Sequence, residues 1–87
     1  MNQVILVGKV ARLDKQAGII MLQVNKNNNN DGVDLIPLKV NEDLLNSVIG
    51  YIKDGMTVGI KGYINTSENK LLIVVEKLTF ISNKKNQ

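Results

Sequence analysis

One stretch of this chain switches to a helical hydrophobic period. Leu44, Leu45, Val48, Ile49 and Ile52 recur at i, i+1, i+4, i+5 and i+8, which is one stripe of an α-helix. Asn41 stands where an N-cap belongs, and Glu42 and Asp43 suit the positive end of the helix dipole. Lys53-Asp54-Gly55 supplies a late cation and a glycine for a left-handed C-terminal cap, so the helix is expected to close at Gly55. A single helix flanked on both sides by strand-like patterns leaves few folds open.

Upstream, Val4 to Leu13 is aliphatic and β-branched with Gly8 inside, which reads as a strand that bends or bulges at the glycine. Gly18 to Val24 is a second apolar run beyond the polar Asp14-Lys15-Gln16, and is expected to be the hairpin partner of the first. Asn27 to Gly32 has nothing to bury and ends in Asp-Gly, so it reads as a mobile loop. Val33 to Val40 resumes the strand pattern; Pro37 has no N–H to give a ladder and is expected at an edge or bulge.

Downstream of the helix the alternation is clean. Met56, Val58, Ile60, Gly62 and Ile64 face inward, and Thr57, Gly59, Lys61 and Tyr63 outward. Asn65 to Asn69 reads as a turn and Leu71 to Ile81 as a long last strand. The organisation expected is one domain over 1–82 and a disordered basic tail over 83–87. Five short strands in the order β-β-β-α-β-β cannot bury themselves as a flat sheet. Curling into a five-stranded Greek-key barrel plugged by the helix solves both the core and the edges, and the OB-fold has that order.

Composition removes most chemistry. The 87 residues include no cysteine and no histidine, so no disulfide, thiolate nucleophile, imidazole base or Cys/His zinc site can be built. Ser47, Thr57, Thr66, Ser67, Thr79 and Ser82 have no histidine partner, and no carboxylate pair forms a recognisable constellation. Neither catalysis nor a cofactor is expected. The formal charge of +3 biases the chain toward polyanions. The start lacks a basic segment and its apolar run is cut by Gly8-Lys9, so no signal peptide is expected; no stretch approaches the ~20 apolar residues of a membrane span. A cytoplasmic location is the expectation.

The segment Asn2-Gln3-Val4-Ile5-Leu6-Val7-Gly8-Lys9-Val10 resembles the opening strand of the bacterial single-stranded-DNA-binding proteins, which read Asn, a polar residue, Val-Ile-Leu-Val-Gly and a polar-apolar pair. Leu44 through Gly62 is similar to that family's helix, its Tyr-apolar-Lys-polar-Gly segment (here Tyr51 to Gly55) and its fourth strand. Leu72 to Phe80 fits the last strand, with its Val-Glu pair at Val75-Glu76. The resemblance implies an OB-fold that binds single-stranded DNA and pairs through strand one. Two departures stand out. The family stacks bases on Trp and Phe, whereas this chain has no Trp, one Phe and two Tyr, with Asn41 and Val33-Asp34-Leu35 where aromatics are usual. The family's acidic C-terminal tail is also missing, which likens the chain to tail-less single-domain relatives such as those of plasmids and phages.

For such a protein the expected nucleic-acid contacts are Lys9 and Arg12 on strand one, Lys26 at the loop, Lys39 on strand three and Lys61 on strand four. The competing reading is that these cations only keep strand edges soluble. Tyr63 is the stacking candidate, against a role in cross-strand packing. Tyr51 and Phe80 are expected to pack structurally. The Asn25 to Gly32 loop matches a hairpin that the family wraps around DNA, although an asparagine run also suits an unconstrained loop. Val4, Ile5, Leu6 and Val7 are apolar on both faces of the strand and form the expected interface of a homodimer or homotetramer. Two functions follow: a single-stranded-DNA-binding module with a helicase or other replication protein as a further partner, or an assembly subunit of a replication or plasmid complex.

Overall fold

The computed structural model describes residues 1–27 and 32–82. The elements come in the expected order: β1 (Val4–Asp14), β2 (Ile19–Asn25), β3 (Val33–Lys39), α1 (Glu42–Val48), β4 (Thr57–Ser67) and β5 (Lys70–Ser82). They close a barrel in the order β1-β2-β3-β5-β4, with β4 returning to β1. All neighbours are antiparallel except β3 and β5, which run parallel through Leu38↔Ile73 and Lys39↔Val74 alone.

β1 serves two sheets in succession. Its first half pairs with β4 from Val4↔Gly62 to Lys9↔Thr57, and its second half pairs with β2 from Lys9↔Gln23 to Asp14↔Ile19. The register shift that redirects the strand lies between Val10 and Arg12, not at Gly8. Gly8 serves a close approach instead, since a β-carbon there would stand 2.4 Å from the Gln23 carbonyl oxygen. Pro37 fits the expectation of an edge: β3 pairs with β5 only beyond it, so no β5 partner asks for the missing N–H.

Val10, Ile20, Leu22, Leu38, Val58, Ile60 and Val75 fill the barrel, and Leu45, Val48 and Ile52 close it. The Asn41 side chain accepts from the Leu44 N–H at 2.8 Å, the N-cap that its position predicts. The helix nevertheless stops at Val48, short of the expected Gly55. Gly50 disfavours another turn, and Ile52 reaches the core from the turn beyond the helix, where its N–H donates to the Val48 carbonyl at 2.9 Å and packing holds its side chain. Gly55 is left-handed at φ 90°, but in a loop, where its N–H donates to the Val10 carbonyl at 2.7 Å.

Three further expectations change. Asn65 to Ser67 are strand, because the β4–β5 turn is only Glu68-Asn69, both at positive φ. Tyr51, carried off the helical stripe by the early helix end, is 68% exposed, and Phe80, beside the shift between Thr57 and Val58, is 38% exposed. Ile64 is 40% exposed, because the β4–β5 hairpin outruns the barrel. The central part of the asparagine loop and the 83–87 tail lie outside the described residues. Among those described, no helix is long and apolar enough to cross a membrane.

Candidate nucleic-acid interface

Strand pairing sorts the six candidate residues into two groups. Arg12 lies opposite Met21, Lys9 opposite Gln23, and Lys39 opposite Ile19, so these cations share the outer face of β1, β2 and β3. The centre of that face is aliphatic and polar: Met21 pairs with Pro37 and Gln23 with Leu35, the latter 56% exposed. Lys61 and Tyr63 lie elsewhere, on the outer face of β4 between β1 and β5. Lys9 belongs to both faces, because it pairs with Gln23 on one side and Thr57 on the other.

The cations are not equally free. Lys26 forms an ion pair with Asp34. The Lys39 ammonium donates to the Ala17 carbonyl at 2.7 Å and so holds the β1–β2 turn. Lys9, Arg12 and Lys61 are exposed and make no ion pair among the described residues. Tyr63 is half-buried opposite Val74, which combines an outward ring with cross-strand packing. The four apolar residues at the start of β1 divide by alternation. Val4 and Leu6 are half-buried, with Leu6 packed on the core, while Ile5 and Val7 point out, 68% and 54% exposed.

Two features escaped sequence reasoning. Counting back from the two-residue turn sets Lys61 opposite Glu76, but a register shift after Gly62↔Val75 sets it opposite Lys77. No local pattern announces such a bulge. The second is Asn2, whose side-chain amide donates to the Ile64 carbonyl at 2.6 Å and accepts from the Ile64 N–H at 2.9 Å. This clamp prolongs the β1–β4 ladder by one side chain.

No family model and no curated protein matches the chain. Solved structures do. The mitochondrial single-stranded-DNA-binding protein Rim1 of S. cerevisiae superposes with a TM-score of 0.78 at 14% identity, covering 95% of this chain and 97% of that one. The dimeric N-terminal domain of PriB from Thermoanaerobacter tencongensis gives 0.68 at 21% identity, covering 94% and 98%. A replication protein A heterotrimer bound to single-stranded DNA gives 0.63 at 17% identity, covering 95% of this chain and 60% of the matched one. At such identities the likeness is one of architecture: the chain is an OB-fold barrel built like those of single-stranded-DNA-binding proteins.

Proposed function

We propose that this barrel binds single-stranded DNA with little sequence preference, in replication, repair or mobile-element transfer, without catalysis or a cofactor. The observation that carries the reading is the placement of Lys9 and Arg12. They are outward, exposed and outside any described ion pair, on the outer face of a barrel shared with proteins named for single-strand binding. The same reading makes the protein a cytoplasmic homodimer, through the edge of β1, with a helicase or other replication protein as a further partner.

A basic surface that tracks phosphates releases counterions, so log K should fall with log salt by about 0.7 per phosphate contacted. Titrating a fluorescent oligo-dT at rising salt should reveal about three to five contacts. Arg12→Ala should remove one of them. Tyr63→Leu keeps cross-strand packing but removes the π-face, and should weaken binding by ~1–3 kcal/mol at every salt concentration without altering the slope.

The aliphatic centre of the β2–β3 face supports a second reading, an assembly subunit that takes a protein partner there. Absence of oligo-dT binding at about 20 mM salt would select it, since electrostatic attraction is strongest there.

A further inference from the structure

We infer that the outer face of β4 and β5 carries a second phosphate-binding station, formed by Lys61 and Lys77, and that a bound single strand reaches it by crossing β1 at Lys9. The inference rests on the single-stranded-DNA reading and adds Lys77 and the path to it.

Lys61 and Lys77 are directly opposite each other on adjacent antiparallel strands, a geometry that sets β-carbons about 4.5–5.5 Å apart and destabilises like charges. Uninterrupted pairing from the Glu68-Asn69 turn would have put Glu76 across from Lys61, a favourable pair. The bulge at Glu76 replaces that pair with two ammonium groups. Both lysines are exposed, and among the described residues the only ion pair is Lys26–Asp34, so neither lysine is neutralised by a carboxylate there. A polyanion laid between them would turn this repulsion into attraction.

The surroundings suit a nucleic-acid backbone. A shallow groove runs beside the two lysines, walled by Ile5 and Val7 of β1 and by Thr79 of β5, with Gly59 between them and the Ile81 side chain reaching over it. The hydroxyl of Thr79 can donate to a phosphate oxygen, and the aliphatic wall can take sugars and base faces. Lys9 lies opposite Thr57, four residues along β4 from Lys61, which is about 13 Å of strand at roughly 3.3 Å per residue. Arg12, Lys9 and the lysine pair therefore form a cationic track that passes from the β1–β2–β3 face over β1 to β4 and β5.

The test compares an oligo-dT of about three nucleotides with one of about twenty-five, bracketing the ~4–16 nucleotides that one OB barrel engages. For the longer oligonucleotide, Lys77→Ala should lower the salt slope by about 0.7 and weaken binding at low salt. The shorter one, held at Arg12 and Lys9, should bind wild type and Lys77→Ala alike. Thermal melting gives a second readout. Inorganic phosphate should raise the melting temperature of the wild type more than that of Lys77→Ala, because only the wild type keeps the paired cations. If the wild type binds the long oligonucleotide and Lys77→Ala leaves both slope and affinity unchanged, the second station is wrong while single-strand binding stands. If the wild type binds neither oligonucleotide, the DNA reading itself fails and takes the station with it.

Discussion

Gly62 approaches the Val74 carbonyl so closely that a β-carbon on it would stand 2.0 Å from the oxygen, nearer than any real contact. The strand backbones meet there without room for a side chain, beside the register shift that brings Lys61 to Lys77. Gly62→Ala must push β4 from β5 and should cost about 1–3 kcal/mol in urea unfolding. Gly50 is the contrast, with open space where its β-carbon would be and no positive φ. Gly50→Ala should stabilise by roughly 0.4–1 kcal/mol, through a less flexible unfolded chain. Equal effects at the two positions would mean that the close approach at Gly62 does not exist. Neither effect can be read from the glycine itself, because the sequence shows a small residue but not whether a neighbouring strand presses on it.

At the scale of elements, what was legible followed period. The helical stripe from Leu44 to Ile52 located α1, and the alternation from Met56 located β4 with Val58, Ile60 and Lys61 on their correct faces. Boundaries were less legible, since Ile52 satisfies the helical pattern while lying beyond the helix, held by core packing and by its N–H donating to the Val48 carbonyl at 2.9 Å. The β4–β5 turn misled for another reason: Asn65, Thr66 and Ser67 are turn formers by composition, yet they pair with Leu72, Leu71 and Lys70. The turn that remains, Glu68-Asn69, holds φ at 52° and 66°, which suits a type I′ turn but is costly for glutamate. Replacing the pair by Asn-Gly, with Glu68→Asn and Asn69→Gly, should add about 1 kcal/mol of stability. That corresponds to a rise of roughly 4–8 °C in Tm for a domain this small. A lower Tm would show that the hairpin does not use this turn.

For the whole molecule, size and edges decide assembly. A 9.6 kDa barrel buries a modest core, and small domains of this kind often gain stability from a second copy. Among the described residues Val4 to Val7 pair with β4 on one side only, because the β1–β2 ladder begins at Lys9. That edge is a backbone template for another strand, and its outward Ile5 and Val7 carry none of the charge that guards edges against pairing. Two copies joined antiparallel along it would bring Ile5 of one near Val7 of the other and unite the two β1–β4–β5 faces into one sheet. The Lys61 and Lys77 pairs would then lie on the outer surface of that sheet and repel a second dimer stacked on it, so assembly should stop at two copies. Light scattering at tens of micromolar should give twice 9.6 kDa, and the melting temperature should rise with protein concentration. The double variant Ile5→Lys with Val7→Lys sets ammonium groups opposite one another across the joint, and should yield a folded monomer because both side chains are exposed in the barrel. A wild type that is already monomeric at that concentration would remove β1 as the interface. A wild type that is tetrameric with both lysines in place, together with a β1 variant that is monomeric, would keep the edge and discard the repulsion.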